Sequence, residues 1–498
     1  MAANHATSIV WLRRDLRLSD NVALERAARA SERVVCAFVL DPVLLRSDRV
    51  GAPIVCCFFD ALASLRDALR ERGSDLALLE GDFETELRGL AKRAGATALF
   101  YNVDYEPDAI ARDERVTAGL RADDVVVEAS VDHVYFGATD VLKPDGSPYT
   151  VFTPYKRRWL ERCEREPRPP ADSLGAIRRR LATADTIGET LAVPKPEDYG
   201  HERSPKFPKG GETLAHDTLA TFLKERGGAY AADRNEPAKP GTSHLSPQLR
   251  AGTIGIRTCV AAVVDARRGA RGTRATGFDT WLSELIWRDF YQQILANVPR
   301  VADGPFDERA RALDYRTSRD DFEAWCAGRT GYPIVDAAMV QLNTFGWMHN
   351  RLRMIVASFL TKDLLLDYRL GEAYFEQHLA DADKAANNGG WQWSSSTGTD
   401  AAPYFRVFNP VLQSEKFDPD GGFIRSMLPA LERLPARAVH APWILAPLEA
   451  EALGFRLGRD YPEPIVNHAE ARVRALAAYA PVLGKAARPR EAARSDAP

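Results

Sequence analysis

The order of strand and helix patterns in the first 135 residues limits the possible folds more than any other feature of the chain. Short β-rich runs at 8–12, 34–40, 75–79, 97–102 and 125–128 alternate with amphipathic helical patterns at 21–30, 56–71, 83–94 and 107–120. Such alternation predicts a parallel, Rossmann-like sheet with helices on both faces, here over residues 1–135. No G-x-G-x-x-G follows the first strand and no Walker A motif occurs, so the usual dinucleotide site is not expected.

Three further patterns divide the rest of the 498-residue chain, whose length favours two or three domains. Residues 136–211 are rich in Pro, Lys and Arg with weak periodicity, which predicts a long inter-domain linker over the surface. Residues 212–482 have helical patterns throughout, which predicts an all-α domain. The polar, Ala- and Pro-rich end, 483–498, is typical of a disordered tail.

Composition excludes several classes of protein. Lys plus Arg number 66 against 69 Asp plus Glu, a formal charge of −3, so any DNA site must be a local basic patch. The six cysteines form no CxxC motif or Cys/His cluster, which indicates reduced thiols in a cytoplasmic protein and no metal site. The start of the chain lacks a signal-peptide pattern, and no apolar run approaches the ~18 residues of a membrane span.

The segment 381–410, DADKAANNGGWQWSSSTGTDAAPYFRVFNP, has too few apolar residues for a core helix. Asp383, Asn387 and Trp391 stand four apart, so in a helix they form one polar and aromatic stripe. Trp393 then points roughly 200° away from Trp391. This arrangement suits two adjoining pockets, although a surface loop with scattered aromatic residues would have the same composition.

A second segment, WLSELIWRDFYQQI, places Trp281, Glu284 and Arg288 at i, i+3 and i+7, with Trp287 on the same side. A carboxylate among large aromatic side chains is costly to bury unless it forms hydrogen bonds. Taken alone, the pattern is equally that of an amphipathic helix with a salt-bridged glutamate.

Two other segments have the same ambiguity. GWMHNRLRMI places Trp347, Asn350, Arg351 and Met354 on one helix face, where methionine is usually core filler but Asn and Arg are not. GTSHLS at 241–246 offers hydroxyl and backbone N–H groups just before a helical pattern. Such a helix start binds phosphate well and is also an ordinary N-cap.

Together these blocks resemble the DNA photolyase/cryptochrome family, and within it the class I cyclobutane pyrimidine dimer (CPD) photolyases. The resemblance runs from about residue 9 to 476 and rests on WLRRDLRLSDN, VFTPYKRRWL, GTSHLS, WLSELIWRDFY, TGYPIVDAAM, GWMHNRLRMI and the 381–410 segment. It implies an α/β antenna domain, a linker, an all-α domain that binds FAD with FADH⁻ as the active form, and a monomer that acts on damaged DNA.

The resemblance also implies the cofactor site. Asn387 matters most, because photolyases of the family place Asn opposite flavin N5, where an amide adds no charge. The family pairs Arg353 with Asp381 beside the flavin ring. The positions that match FAD contacts are Tyr230, Thr242, Ser243, His244, Leu245, Ser246, Trp281, Arg353, Asp381, Asp383 and Asn387.

The same resemblance implies a lesion pocket, in which Trp287 and Trp393 stack the dimer and Glu284 bonds to it and stabilises charge. Related (6-4) photolyases have histidines at the positions of Asn350 and Met354. The lack of histidine at both positions here indicates cyclobutane dimers as the substrate. The positions that match DNA or lesion contacts are Lys156, Arg234, Glu284, Trp287, Arg288, Tyr291, Asn350, Arg351, Met354, Trp393 and Arg406.

The implied reaction is light-driven dimer repair by an electron from FADH⁻. A blue-light receptor of the cryptochrome type on the same scaffold is the alternative. The short tail and the intact lesion residues disfavour it. A DASH-type enzyme that acts on single strands fits less well.

Two places depart from the family pattern. Photoreduction usually uses three tryptophans, but only Trp391 is kept, with Tyr368 and Tyr315 at the middle and outer positions. Because tyrosine usually loses its proton on oxidation, we predict slower or rerouted photoreduction with unchanged repair. The sequence cannot choose among detours through three other tryptophans, Trp393, Trp347 and Trp325.

The antenna site is the second departure. Asp108 and Ala109 replace the Asn-Glu pair of folate-binding relatives, and Ile54 replaces the usual Arg. The second chromophore therefore stays unassigned, and its absence or a non-folate group is favoured over folate.

Overall fold

The computed structural model describes residues 4–484 and begins with a five-stranded sheet. The strands are β1 His5–Trp11, β2 Ser31–Leu40, β3 Leu76–Glu80, β4 Ala98–Asn102 and β5 Val126–Ser130. They lie in the order β3-β2-β1-β4-β5, and every neighbouring pair is parallel. The predicted parallel α/β fold is confirmed.

The core of this sheet explains why its strands are apolar almost without interruption. Ile9 of β1 is paired with Val35 of β2 and Leu99 of β4, and all three are fully buried. Strands covered on both faces show continuous apolar runs instead of alternation. The strand order reverses between β1 and β4, and in open parallel sheets the crevice at such a switch point is where ligands bind.

The chain is otherwise mostly helical, as predicted. Up to residue 302 the helices are α1 Val22–Ala30, α2 Pro42–Leu45, α3 Ala52–Arg70, α4 Phe83–Ala94, α5 Pro107–Ala122, α6 Phe152–Arg165, α7 Ser173–Ile177, α8 Ala184–Ile187, α9 Glu212–Glu225, α10 Tyr230–Asp233, α11 Ser246–Ala251, α12 Ile256–Arg267 and α13 Gly272–Asn297. Helix α3 begins earlier than predicted because proline is tolerated in a first helical turn, where Pro53 lies.

The remaining helices are shorter. They are α14 Arg319–Cys326, α15 Pro333–Phe345, α16 Asn350–Ser358, α17 Tyr368–His378, α18 Lys384–Ser395, α19 Pro410–Phe417, α20 Gly422–Met427, α21 Ala436–Val439, α22 Pro447–Ala452 and α23 His468–Leu483. A π-helical turn spans Phe359–Asp363. Short 3₁₀ turns span Pro196–Tyr199, Gly227–Ala229, Pro299–Ala302, Glu308–Ala312, Pro429–Leu431 and Pro442–Ile444.

The segment 136–211 is less irregular than expected. It contains α6, whose inner face buries Phe152, Tyr155 and Trp159. Further along, Ala182 and Ile187 belong to the core of the sheet domain. The high Pro, Lys and Arg content hid an aromatic stripe at i, i+3 and i+7, which is the spacing of a helix packed on one side.

Contacts divide the chain into two compact units. The first comprises Met1–Ala302, Gln341–Met348 and Ala373–Asn387, and the second comprises Asp303–Val340, His349–Glu372 and Asn388–Pro498. Within residues 4–484, no helix is long and apolar enough to cross a membrane. The prediction of a disordered tail falls almost entirely on residues 485–498, outside the described part.

Candidate active site

In the segment that begins at Asp381, residues Lys384–Ser395 form helix α18, so the helical alternative holds there and the surface loop does not. Asp383 precedes α18 and caps it, since its Oδ1 accepts a 3.0 Å hydrogen bond from the Ala386 N–H. The backbone N–H of Asn387 donates to the Asp383 carbonyl at 2.8 Å. Asp381, Asp383 and Asn387 belong to the first unit. The acidic start of α18 is therefore a fixed point in the first unit.

The Asp383 carboxylate lies in a buried network of charges. It forms an ion pair with Arg14 and accepts hydrogen bonds of 2.9 and 3.0 Å from the Gln292 amide. Arg14 also bonds to Asp104 at 3.1 Å and Glu106 at 2.7 Å. Burial is the largest single influence and would raise the pKa of Asp383, but Arg14, His133 and Arg250 together outweigh it and hold that pKa well below its usual range. The carboxylate is therefore ionised, and its oxygens are already bonded within the first unit.

His133 completes this network as a neutral side chain. Burial, followed by the charges of Arg14 and Arg288, lowers its pKa to about 3. Its Nε2 lies 3.0 Å from an Arg14 nitrogen and 3.3 Å from the Gln292 amide nitrogen, so it accepts from these donors. The Arg288 guanidinium bonds to the His133 carbonyl and lies 2.9 Å from its ring nitrogens.

The network closes the edge of the sheet where the strand order reverses. Arg13 and Arg14 follow β1, Asp104 follows β4, and His133 follows β5. The cavity at this edge holds only about 10 Å³, the room of one water molecule. Charged side chains therefore fill the crevice that a ligand usually takes in such sheets.

The predicted phosphate-binding segment leads directly into α11. His244 has a positive φ of 55° and Leu245 is buried, so the chain turns sharply before Ser246. The Trp347 indole nitrogen donates to the Ser246 hydroxyl at 3.3 Å and its ring lies 4.3 Å from that of His244. Thr242 and Ser243 keep part of their surface exposed.

Two more of the predicted cofactor contacts meet at one aromatic residue. Phe222 of α9 packs against Tyr230 at 5.8 Å and against Trp281 at 5.1 Å, measured between ring centroids. Phe222 itself is fully buried, while Tyr230 and Trp281 each keep a few per cent exposed. The packing thus fixes Tyr230 of α10 and Trp281 of α13 in one aromatic cluster of the first unit.

The chemistry of these side chains fits FAD. The Thr242, Ser243 and Ser246 hydroxyls can donate to phosphate oxygens, and the Asp381 carboxylate can accept from a flavin ring N–H. Asn387 offers an amide that both donates and accepts. Because the Asp383 carboxylate is committed to Arg14 and Gln292, its backbone is the part left for a cofactor.

One face of α13 carries two of the predicted lesion contacts. Glu284 forms a 2.6 Å ion pair with Arg234, so two predicted DNA contacts are bonded to each other. Trp287 lies one turn further on and is half-buried. Lys156 of α6, predicted to contact phosphate, donates a 2.6 Å hydrogen bond to the Ser283 hydroxyl of α13. Tyr291 stacks against Trp287 at 5.4 Å.

The second unit carries the other predicted DNA contacts. Asn350 is exposed at the start of α16. The Arg351 guanidinium lies 4.4 Å above the Phe417 ring, and its nitrogen is 3.7 Å from the Met354 sulfur. Met354, Arg353 and Trp393 are half-buried, and Arg406 is exposed.

Trp391 of the second unit is 2 % exposed and adjoins one candidate electron donor, Trp325. Its ring lies 6.0 Å from that of Trp325, edge to face, and the Trp325 indole N–H donates to the Val356 carbonyl at 3.1 Å. Tyr368 is buried, and its hydroxyl has no hydrogen-bond partner among residues 4–484. Burial raises the pKa of Tyr368 and of Tyr315 above the usual value.

Sequence reasoning missed several residues of these sites. Arg14 stands 369 positions before Asp383, and no local pattern connects the two. His133 and Gln292 were missed for the same reason. Phe152, which stacks on Trp287, had a signal in the aromatic stripe of α6, but the composition of that segment concealed it.

Comparisons with known proteins agree with this geometry. Residues 8–173 match the family model "DNA photolyase", and residues 281–481 match "FAD binding domain of DNA photolyase". The deoxyribodipyrimidine photo-lyase of Salmonella typhimurium is 42% identical over 486 residues, 95% of this chain and 98% of that protein.

Solved structures give the same result. A class III photolyase from Agrobacterium tumefaciens superposes with a TM-score of 0.86 and 35% identity, covering 97% of this chain and 98% of that one. A cryptochrome from Synechocystis sp. PCC6803 reaches 0.85 at 26% identity, covering 96% and 100%. The fold and the full-length similarity agree, and we conclude that the chain is a member of the DNA photolyase family, with an FAD-binding domain.

Proposed function

We propose that this chain uses light to repair cyclobutane pyrimidine dimers in DNA. The observation that carries the proposal is the half-buried face of α13, where Glu284 and Trp287 lie one turn apart. An indole face can stack an unpaired base, and a carboxylate can accept from a pyrimidine N–H. The similarity along the whole chain to proteins named deoxyribodipyrimidine photo-lyase supports the same reaction.

Glu284 would act together with Arg234. Their 2.6 Å ion pair places an acceptor and several donors side by side on the lesion face. A pyrimidine offers both a ring N–H and carbonyl oxygens, so the pair can bond to both. The positive charge of Arg234 also favours the extra negative charge that the dimer carries once it is reduced.

FAD would be held by the residues whose chemistry fits it. When bound and reduced, FAD supplies the photo-excited electron that opens the cyclobutane ring. The chain supplies binding and orientation through the hydroxyls of Thr242, Ser243 and Ser246, the aromatic rings of Tyr230 and Trp281, and the polar side chains of Arg353, Asp381 and Asn387. The neutral amide of Asn387 adds no charge beside the ring.

Phosphate contacts would come from side chains that the structure leaves accessible. Lys156, Arg351 and Arg406 are exposed or half-buried. Such cations position DNA without reading its sequence. We leave Arg288 out of this set, because its guanidinium is bonded to His133 and a phosphate would have to break those bonds.

The test is repair of a thymine-dimer duplex by purified, fully reduced protein under light of about 400 nm, the range that a reduced flavin absorbs. We expect the dimer to revert only in the light, and Trp287→Ala to need far more DNA for the same rate. A dark sample and an undamaged duplex are the controls. If the fully reduced protein left the dimer intact, it would not be a photolyase.

The receptor alternative receives less support. The cryptochrome match is at 26% identity, against 42% and 35% for proteins named photolyase. A protein that acts only as a receptor would leave the dimer intact in the light. The repair assay therefore decides between the two functions.

We also propose that the protein works as a monomer in the cytoplasm. The ion pairs that Arg14 forms at the sheet edge, with Asp104, Glu106 and Asp383, are all made within one chain and need no second copy. Sedimentation of the FAD-loaded protein tests the monomer, and fractionation of cells that express a tagged full-length chain tests the location.

A further inference from the structure

The Trp287 indole is covered on one side by an aromatic ring from a different helix. The Phe152 ring lies 3.6 Å from it, centroid to centroid, with only 7° between the two planes. Phe152 is buried, whereas Trp287 is half-buried. Phe152 therefore occupies one indole face within the protein, and a ligand can reach only the part of the ring that stays exposed.

Helix α6, which carries Phe152, is attached to α13 at two further points. Lys156 donates to the Ser283 hydroxyl at 2.6 Å, and the Trp159 indole N–H donates to the Asp289 carboxylate at 3.0 Å. These three residues follow the spacing i, i+4 and i+7 of one helix face. Phe152 is thus the end of a rigidly docked helix and cannot move away from Trp287 independently.

The stacked geometry is unusual for an isolated pair of rings. Aromatic pairs prefer offset or edge-to-face arrangements over close face-to-face stacking. Two other rings also limit Trp287, since Phe290 meets it edge on at 5.4 Å and Tyr291 lies 5.4 Å away at 30°. The helices therefore impose one indole orientation before any ligand arrives.

We propose that Phe152 is a positioning residue for lesion recognition, which holds the Trp287 indole as a pre-formed platform for a flipped pyrimidine dimer. This inference rests on the proposed function. A side chain that is already fixed loses little conformational freedom on binding, so the stacking energy appears as affinity. The effect falls on the dimer and not on intact duplex, in which the bases stay stacked inside the helix.

The test measures binding in the dark, without repair. Phe152→Leu keeps the apolar volume but removes the planar ring, and Phe152→Tyr keeps the ring. We expect Phe152→Leu to weaken binding of a dimer-containing duplex about 5-fold, an effect in the range of one aromatic contact, with undamaged duplex unchanged and Phe152→Tyr close to the original. Phe83→Leu is the matched control, since Phe83 packs on Trp11 at 5.8 Å in the sheet domain.

A double variant separates positioning from general structure. In a Trp287→Ala background, Phe152→Leu should cause no further loss of dimer binding, because the ring it positions is absent. Flavin content and melting temperature of each variant show whether the protein is intact.

Four outcomes would count against the proposal. Equal losses for damaged and undamaged duplex, or a further loss in the Trp287→Ala background, would overturn the positioning role. If Trp287→Ala lost dimer affinity while Phe152→Leu did not, only this inference would fail. If Trp287→Ala itself kept full dimer affinity, the proposed lesion site would fail, and the platform with it.

Discussion

Trp287 and Trp391 both lie on helices rich in polar residues, yet their surroundings differ in kind. Trp287 in the first unit is half-buried and stacked by Phe152, so part of its ring stays exposed. Trp391 in the second unit is 2 % exposed and adjoins another oxidisable ring, Trp325. A residue that stacks a base needs an open face, whereas one that passes an electron needs a close, buried partner. We therefore propose binding as the role of Trp287 and electron transfer as the role of Trp391.

The packing of Trp391 depends on the absence of a side chain at Gly371. A Cβ on Gly371 of α17 would lie 2.1 Å from the Trp391 ring, so helix and ring touch directly. The Glu372 carboxylate next to it accepts a 3.0 Å hydrogen bond from the Asn388 amide of α18. The contacts that hold Trp287 are instead with side-chain rings, those of Phe152, Phe290 and Tyr291.

The largest effect should come from filling the space at Gly371. Gly371→Val places methyl groups inside the Trp391 ring, and overpacking of this size costs about 3 kcal/mol of unfolding free energy. Denaturant unfolding measures the loss, and flavin content reports whether the site is kept. Gly390→Ala is the control, because a Cβ there meets no atom within 4 Å and should stabilise α18 by about 0.5–1 kcal/mol. Equal stability of the two variants would show that the Trp391 ring does not require a glycine at position 371.

A second prediction tests the comparison directly by replacing each of the two tryptophans in turn. Trp287→Ala should weaken dark binding of dimer DNA roughly 5- to 150-fold, the equivalent of one stacked base, and leave photoreduction of the flavin unchanged. Trp391→Phe should do the opposite, with dark binding kept and photoreduction slowed at least about 10-fold. Binding is measured by anisotropy and photoreduction by flavin absorbance. A variant that impaired both would show that the two tryptophans do not have separate roles.

The third prediction concerns the route beyond Trp391, where the sequence left several detours open. Oxidised tyrosine must usually release its proton, and the buried Tyr368 hydroxyl has no acceptor among the described residues. Oxidised Trp325 can keep its proton, because its indole N–H is bonded to the Val356 carbonyl at 3.1 Å. We therefore expect Trp325→Phe to slow photoreduction about 10-fold, and Tyr368→Phe to slow it less.

Transient absorption and electron paramagnetic resonance check this prediction through the identity of the radical. A tryptophan radical that disappears in Trp325→Phe supports the detour. Tyr315→Phe is the matched control on the tyrosine branch and should change neither signal. A tyrosine radical that depends on Tyr368 would show that the electron follows the family's usual positions.

The sequence predicted local structure well, because helices and strands depend on residues that are close together in the chain. The four-residue spacing of Asp383, Asn387 and Trp391 identified α18, and the β-rich runs gave all five strands to within a few residues. The contacts of Arg14 with Asp383 could not be predicted, since tertiary packing alone brings them together. The platform under Trp287 was missed because charged residues on the outer face of α6 dominated its composition.

The smallest predicted effect concerns acid stability and the network that holds Asp383. His133 is neutral in the fold, with its pKa lowered to about 3 by burial and by Arg14 and Arg288, against an ordinary value near 6.5. Below pH 6.5 the unfolded chain binds a proton at this histidine while the folded protein does not. The free energy of unfolding therefore has its full value above pH 6.5 and decreases as the pH falls toward 3. His133→Asn removes the titration, so the stability lost between pH 7 and pH 5.5 should shrink by about 1 kcal/mol.

Denaturant unfolding at the two pH values measures this difference. His5→Asn at the start of β1 serves as the control, because its ring lies outside the Asp383 network and bonds to the Thr97 hydroxyl, at 3.1 Å. Flavin binding and photoreduction through Trp391 should be kept in His133→Asn at pH 7, since the bonds from Arg14 and Gln292 to Asp383 remain. If His133→Asn lost as much stability on acidification as the unchanged protein, the ring would not be the neutral acceptor that the geometry indicates. The Asp383 carboxylate beside Arg14 would not explain that loss, because its pKa is held below the usual range and it protonates only at a much lower pH.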